Sequence, residues 1–381
     1  MEARQIKIHN KIFIAIIVVS AISSLRTLCT SLKLDELTYF RISERLLQGK
    51  YFLNENPSSV APAIPFVFSL FTIKSYPLLG FILNRLFNVC LVGFGFYFIA
   101  LYLKQQKTPK LIILCILALV AVNPNAVAWY GTLYPEALVF FSFWGFNYYA
   151  SQPYKLSNLI KMLCFFTLIV FTRYVYAVLG LVVLFNYYEY LKVNFKKYSI
   201  PIVKYSLLFF IPFIFWGKYV LNIEEQNLSE ISYFERYKID NPIVYNVKCG
   251  LGLEKHHEVD KINGIPAFAS LFIPITGFRN YLLSFILISG FMFGLIKHIK
   301  RPAINKLLIS TLLIMLGFIF AGTGFSRYWL VLLPAFFLGY FYLFKMLNIN
   351  NKWFIYASQI ICLVYIVNEI RIDILVIGKY F

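Results

Sequence analysis

Residues 34–41 read Leu-Asp-Glu-Leu-Thr-Tyr-Phe-Arg and closely follow the first long apolar run of the chain, residues 12–32. An apolar run of about 20 residues predicts a helix that spans a membrane. Acidic side chains are costly within lipid, so the pair Asp35-Glu36 indicates where the first span ends. Two structural explanations of the pair are a solvated loop start and a helix cap at Asp35. The third is a catalytic role, in which one carboxylate acts as a general base.

The composition identifies the class of protein. Of the 381 residues, 60% are hydrophobic and only 14% are charged, whereas soluble domains carry about 25% charged residues. The apolar runs are long and unbroken, which favours helices over the alternating strands of a β-barrel. We therefore predict an all-α, polytopic membrane protein in which residues 1–381 form a single transmembrane domain in the lipid bilayer.

Apolar runs of spanning length predict about eleven transmembrane helices. They cover residues 12–32, 78–103, 111–130, 133–150, 156–172, 175–191, 203–221, 281–297, 306–323, 327–345 and 353–373. Arg173 interrupts the apolar region 156–191, which is therefore either a short helical hairpin or one broken helix.

The net charge of +19 would suit a nucleic-acid partner, but the positions of the charges argue against one. Half of the 36 basic residues cluster in the connections on one side of the predicted spans, and the short connections near 131 and 324 hold almost none. This asymmetry predicts a cytoplasmic N-terminus and an outer C-terminus. The expected location is the inner (plasma) membrane of a bacterium.

The same topology places two larger segments, 33–77 and 222–280, on the outer side, and they contain 12 of the 17 acidic residues. Any chemistry is therefore expected on the periplasmic or lumenal side. In the first segment, Ile42, Leu46 and Leu47 have helical spacing and Gly49 suits a helix end, which predicts an amphipathic helix on the membrane surface. A short apolar segment, residues 66–71, follows. The second segment is long enough for a small helical subdomain.

Several ionisable residues lie at the predicted outer ends of spans: Asp35, Glu36, Arg85, Glu136, Arg173, Arg279 and Arg327. Each can be explained singly as a side chain that snorkels to the interface. If these ends surround one cavity, however, they form a site with two acids and several guanidiniums. Arginine forks suit a phosphate or pyrophosphate at the membrane surface.

Three further features have a structural and a functional explanation. Glu136 follows Pro135, so it fits the first turn of a helix as well as a site. Arg327-Tyr328 is either an aromatic-belt anchor or a phosphate-binding element. His256-His257 has no third ligand at a metal-binding spacing, so a surface pair is favoured over a metal site.

Together these residues resemble the C-type (GT-C) membrane glycosyltransferases, which include protein mannosyltransferases and lipid A aminoarabinose transferases. The acid pair after the first span, Tyr39, the Leu-Leu-x-Gly helix end, the segment Ala61-Pro-Ala-Ile-Pro65 and the late Arg327-Tyr328 with Pro334 carry the resemblance. It implies interfacial helices in the first outer loop. It also implies transfer of a sugar from a polyprenyl-phosphate carrier to a glycan, lipid or protein acceptor.

Carried over by position, Asp35 would be the base or the acid that orients the acceptor, and Arg327 would contact the donor phosphate. We further predict Glu36 as a second catalytic acid, and the predicted substrate-binding residues are Tyr328, Arg173, Arg85, Glu136, His256 and His257. The sequence leaves open whether a divalent cation, Mg or Mn, is required. Within residues 1–381 no sizeable soluble domain is predicted, unlike in larger members, so we expect residues 222–280 to recognise the acceptor.

Two other functions compete with this hypothesis. An O-antigen-type polysaccharide polymerase or ligase would depend on the loop 222–280. A lipid-linked sugar transporter or flippase would place ionisable residues deep within the spans. The charges lie mainly at span ends, which favours a surface reaction; Arg26, Lys218 and Arg371 are the charges that this hypothesis explains least.

Overall fold

The computed structural model describes residues 2–30, 34–51, 60–73, 75–226, 241–255, 264–273, 278–322, 324 and 326–378. Over these residues the regular structure is helical, without a strand, so the all-α prediction is confirmed. The α-helices are α1 (Glu2–Ser24), α2 (Leu34–Leu47), α3 (Ala63–Ser69), α4 (Pro77–Gln105), α5 (Lys110–Ala121), α6 (Pro124–Tyr130), α7 (Glu136–Ala150), α8 (Leu156–Thr172), α9 (Gly180–Val193), α10 (Phe195–Gln226), α11 (Pro242–Leu251), α12 (Tyr281–Ile296), α13 (Pro302–Phe320), α14 (Ser326–Trp329), α15 (Leu333–Met346) and α16 (Asn351–Ile377). Four 3-10 segments lie between them: Leu25–Cys29, Tyr174–Leu179, Ile265–Leu271 and Leu330–Leu332.

The chain is a multi-pass membrane protein. Within the described residues, six helices are long and apolar enough to cross a membrane, or seven if α5 and α6, bent by 66°, form one span. The six cover Ile6–Leu28, Pro77–Gln105, Tyr174–Val193, Phe195–Ile223, Pro302–Phe320 and Ser326–Met346. Each of the eleven predicted runs coincides with helical structure, but α7, α8 and α12 have only 15, 17 and 16 residues. The count of eleven spans and their orientation therefore stay predictions.

The apolar region 156–191 consists of two helices that are separated at Arg173. Helix α8 ends at Thr172, and Arg173 has an extended backbone with φ −154° and ψ 124°. The 3-10 segment Tyr174–Leu179 then leads into α9. This break allows the guanidinium of Arg173 to reach the carboxylate of Glu136 at the start of α7.

In the first outer segment, α2 ends as its sequence predicts. Gly49 has φ +71°, which is the left-handed conformation that favours glycine after a helix. The Gly49 N–H donates to the Leu46 carbonyl and the Lys50 N–H donates to the Arg45 carbonyl, both at 2.9 Å. Helix α3 is only seven residues long, in agreement with an element too short to span.

The inward side of α2 is only part of its predicted apolar face. Ile42 is buried with Phe40 and Ser43, whereas Leu47 is 49% exposed. Ser43 Oγ lies 3.2 Å from Thr72 Oγ1, a polar contact on this inward side to the region that follows α2.

In the second outer segment, α11 packs closely on α13. A Cβ atom on Gly250 would lie 2.6 Å from Ile319 Cα, and Gly252 ends the helix with φ +78°. The described part of the segment therefore lies directly on the helical bundle. His256 and His257 lie outside the described residues.

The first and last long helices are joined by ion pairs. Arg26 lies 2.6 Å from Glu369 and 2.9 Å from Asp373, both on α16. Ser23 Oγ donates to the second carboxylate oxygen of Asp373. Arg26, which the sequence left unexplained, thus has a structural role, whereas Lys218 and Arg371 are exposed.

Helices α12 and α15 approach each other through glycines. The sequence Gly290-Phe-Met-Phe-Gly294 places two small residues on one face of α12, as in close helix pairs in membranes. A Cβ atom on Gly294 would overlap the Gly339 carbonyl oxygen, and one on Gly339 would lie 2.8 Å from Phe291 Cβ. The contact therefore requires glycine on both helices.

We predict that Gly294→Ala lowers the free energy of unfolding by about 1–3 kcal/mol, because the added methyl group overpacks this contact. Thermal unfolding of the detergent-solubilised protein measures the effect. The matched control is Gly93→Ala on α4, where a Cβ atom meets nothing within 4 Å; alanine should be neutral or slightly stabilising there. An unchanged unfolding temperature for Gly294→Ala would refute the packing argument.

Candidate active site

Arg327 brings together side chains from distant parts of the chain. It lies in the short helix α14, and its side chain is 13% exposed. Its Nη2 atom is 3.9 Å from Asp35 Oδ2 on α2, and its Nε atom is 3.6 Å from Glu136 Oε1 on α7. The acid of the first outer segment and the arginine of the late apolar run therefore share one site.

Arg173 completes the charged cluster. Its Nη2 atom donates to Glu136 Oε1 at 2.8 Å, and the Glu136 side chain is only 4% exposed. Two guanidiniums thus share one buried carboxylate, so this inner part of the cluster carries a net charge of +1. Asp35, 3.9 Å from Arg327, supplies the balancing negative charge at the exposed edge, so the four groups together are neutral.

Aromatic rings fix the two guanidiniums. Arg173 Cζ lies 4.0 Å from the centroid of the Tyr328 ring. Arg327 Cζ lies 4.7 Å from the ring centroids of both Trp129 and Tyr134. These are favourable cation–π distances, and they leave the planar guanidiniums in fixed positions.

The two neighbouring acids have opposite environments. The Asp35 side chain is 56% exposed, whereas Glu36 is fully buried. Consecutive residues of a helix point in directions about 100° apart, which explains the difference. Asp35 is the carboxylate that a substrate can reach.

Glu36 and Arg85 form a buried brace beside the cluster. Arg85 Nη2 donates to both carboxylate oxygens of Glu36 at 3.0 Å, and the Leu133 N–H donates to Glu36 Oε1 at 2.7 Å. Arg85 Nη1 also donates to the carbonyls of Thr27 and Thr30. This geometry ties α2 to α4, to the end of the first apolar run and to the α6–α7 connection. It favours a positioning role for both residues.

Three aromatic residues near Arg327 were not assigned to the site from the sequence. Trp129 and Tyr134 lie in the aromatic-rich stretch before Glu136, and that stretch was the feature of the sequence that could have indicated their role. Tyr39, on α2, packs edge-on against Tyr134 at 6.3 Å between centroids. Burial raises the pKa of the Tyr39 phenol, so this hydroxyl stays a neutral hydrogen-bond donor at physiological pH.

The described residues do not form a metal site. Among them, no three side chains of His, Cys, Asp and Glu come together with a geometry that could hold a cation. Asp35 and Glu136 both face the Arg327 guanidinium, which is a poor donor set for a divalent ion. A requirement for Mg or Mn stays a prediction, and His256 and His257 lie outside the described residues.

We predict that substitutions of the two neighbouring acids have different effects on the free energy of unfolding. Glu36→Ala leaves Arg85 buried without its carboxylate, which should cost about 3–5 kcal/mol of unfolding free energy. Asp35→Asn, at an exposed position, should change stability by less than about 0.5 kcal/mol. Thermal unfolding of both variants beside the wild type gives the comparison. Equal unfolding temperatures for Glu36→Ala and wild type would exclude the brace.

The comparisons with known proteins concern the fold. No protein-family model and no curated protein sequence matches the chain. Among solved structures it is similar to the crystal structure of ArnT from Cupriavidus metallidurans bound to undecaprenyl phosphate, with a TM-score of 0.56 and 13% sequence identity. The match covers 92% of this chain and 61% of that chain, so this chain spans less than two thirds of the ArnT length. The chain therefore has an ArnT-like fold, which agrees with the fold that the resemblance in its sequence implies.

Proposed function

We propose that the protein transfers a sugar from a polyprenyl-phosphate carrier to an acceptor on the predicted periplasmic or lumenal side of the membrane. The observation that carries the proposal is the exposed carboxylate of Asp35, 3.9 Å from the Arg327 guanidinium. A candidate base and a candidate phosphate-binding cation are thus adjacent, and the buried part of the cluster, Glu136 with Arg173 and Arg327, has one more positive than negative charge.

The reaction assigns a role to each charge. Asp35 takes the proton from an acceptor hydroxyl or amine as that atom forms a bond to the anomeric carbon of the sugar. The bond between the anomeric carbon and the phosphate oxygen breaks, and the lipid phosphate leaves with the electron pair. Arg327 and Arg173 stabilise the charge that develops on the phosphate.

Glu136 positions the two arginines. It accepts from Arg173 at 2.8 Å and lies 3.6 Å from Arg327 Nε, so it orients both while neutralising only one charge. Guanidinium forks match phosphate oxygens in geometry. A dry, aromatic-walled setting strengthens that attraction compared with water.

An apolar groove beside the cluster suits the polyprenyl chain of the donor. It has a volume of about 580 Å³ and lies between α3, α8 and α10, with Phe66, Phe171 and Phe215 among its lining. Phe171 precedes Arg173 by two residues, so the groove and the proposed phosphate site adjoin. Trp216, also in the lining, donates from Nε1 to Tyr174 Oη at 2.7 Å, which joins α10 to the residue after Arg173.

The similar fold supports the same donor class. The ArnT crystal structure contains undecaprenyl phosphate, a polyprenyl phosphate. Because this chain spans only 61% of that protein, the acceptor is left open among glycan, lipid and protein.

The decisive experiment is a transfer assay in reconstituted membranes with a set of polyprenyl-phosphate sugars. We expect Asp35→Asn to lower turnover by about 10²- to 10⁴-fold, the usual contribution of a general base. Arg327→Ala should lower it by about 10²-fold or more through the lost stabilisation of the leaving phosphate. The matched control is Glu44→Gln on the same helix, about 13 Å further along, which should retain activity.

Full activity in Asp35→Asn would end the assignment of the base. Repeated addition of sugars would identify the polymerase alternative, and movement of the donor between leaflets without transfer would identify the flippase. Equal losses in Glu44→Gln and Asp35→Asn would show a general effect on α2 rather than chemistry at one carboxylate.

The groove generates a separate prediction about donor length. Phe66→Ala and Phe215→Ala should raise KM a few-fold for long-chain donors and leave kcat unchanged, because only contacts to the lipid tail are lost. A donor with a short chain should show no difference. Phe94→Ala is the control, since Phe94 is similarly exposed (58%, against 47% and 72%) but lies on α4 outside the groove. A KM independent of these phenylalanines would place the lipid tail elsewhere.

A further inference from the structure

A second cleft lies beyond the far end of α7, the helix that begins at Glu136. It has a volume of about 690 Å³ and is lined by the ends of α4, α7 and α15 and the start of α13. Helix α7 has Glu136 at one end and leads to this cleft at the other, about 21 Å away. The topology predicts that the cleft faces the cytoplasm.

The lining of this cleft is positively charged. It contains Lys107, Lys300, Arg301, Lys306 and Lys345 and no acidic residue. Lys306 is buried and pairs with Glu189, outside the lining, at 2.6 Å. Within the part of the chain that the structure describes, the other four cations have no carboxylate within ion-pair distance.

Buried hydroxyl groups accompany these cations. Tyr342 is 3% exposed and Thr108 is 9% exposed, and both line the cleft. Tyr342 interacts with the Thr108 hydroxyl and the Arg301 guanidinium, but no contact of either hydroxyl oxygen meets full hydrogen-bond geometry. A buried hydroxyl with incomplete hydrogen bonds is costly, so both hydroxyls can turn to a ligand in the cleft.

The backbone at Lys107 is a third indication. Lys107 has φ +56°, in the left-handed region that glycine occupies at helix ends without strain. The Thr108 N–H donates to the Leu103 carbonyl at 3.1 Å and closes this turn. The turn therefore places a lysine, rather than the glycine that this conformation favours, in the lining of the cleft.

The positive-inside rule explains part of this arrangement. Cations at cytoplasmic helix ends are expected in any membrane protein, but that rule requires neither a concave surface nor buried hydroxyls with incomplete hydrogen bonds. The ring of His298 lies 4.1 Å from that of Tyr342, and His298 experiences the positive charge of the cleft. Burial, together with the nearby Arg301 and Lys345, lowers the pKa of its imidazole.

We propose that this cleft binds a phosphate-bearing anion on the face opposite the candidate active site. Arg301, Lys345 and Lys107 supply the charge, and Tyr342 and Thr108 donate hydrogen bonds to phosphate oxygens. A phospholipid headgroup and a soluble phosphate compound share this chemistry. The site does not depend on the proposed transfer reaction.

The test uses the full-length protein in nanodiscs of phosphatidylcholine. One arm titrates inorganic phosphate and pyrophosphate by calorimetry. The other uses nanodiscs to which phosphatidylglycerol has been added and counts the phosphatidylglycerol molecules that the protein retains in native mass spectrometry. In the arm that binds, Arg301→Ala and Lys345→Ala should each weaken binding about tenfold, the loss of one charge-assisted contact, and Tyr342→Phe should weaken it several-fold.

Two variants separate a site from diffuse charge. Lys107→Gly should weaken binding and leave the unfolding temperature unchanged or higher, because glycine is favoured at this φ. Lys196→Ala removes an exposed cation on the same predicted face but outside the cleft and should bind as the wild type does.

The outcomes distinguish the source of the phosphate. Binding in the calorimetric arm identifies a soluble ligand, and retention of phosphatidylglycerol alone identifies a headgroup. The proposal is overturned if neither probe binds, or if Lys196→Ala reduces binding as much as Arg301→Ala does.

Discussion

The carboxylate of Glu136 is the interaction on which the candidate active site depends. It is buried and accepts from Arg173 while lying 3.6 Å from Arg327, and these two arginines come from segments more than 150 residues apart. A guanidinium is stable inside a membrane fold only when a carboxylate or aromatic ring compensates its charge. Arg173 lies in the extended break between α8 and α9, and Arg327 lies in the short helix α14 before α15. Both side chains therefore reach this one carboxylate.

A second compensated arginine holds the first outer segment in place. Arg85 saturates Glu36 and binds two carbonyls at the end of the first apolar run. This brace sets the rotation of α2 about its axis, and the rotation leaves Asp35 exposed toward Arg327. The two adjacent acids thus have different roles: buried Glu36 orients α2, and α2 in turn presents the exposed carboxylate of Asp35.

The bundle presents charge of different kinds at its two ends. At one end, acids and arginines compensate each other around a small cluster. At the other, the cleft bears cations and buried hydroxyls with no acid in its lining. Helix α7 joins the two ends, since Glu136 begins it and the cleft lies just beyond its last residue. Rigid helices of fixed length hold the two regions about 20–30 Å apart.

The sequence by itself determined the helical membrane class, the positions of the helices and the end of α2 at Gly49, because apolar runs and glycine act locally along the chain. It also brought Asp35, Glu136, Arg173 and Arg327 forward as candidates for one site. Only the tertiary structure decided that Glu36 pairs with Arg85, that Trp129 and Tyr134 enclose Arg327, and that Phe40 and Ser43 rather than Leu47 turn inward. The physical reason is that pairing of buried charges and packing of faces depend on which distant helices become neighbours, and no local pattern of residues encodes that choice.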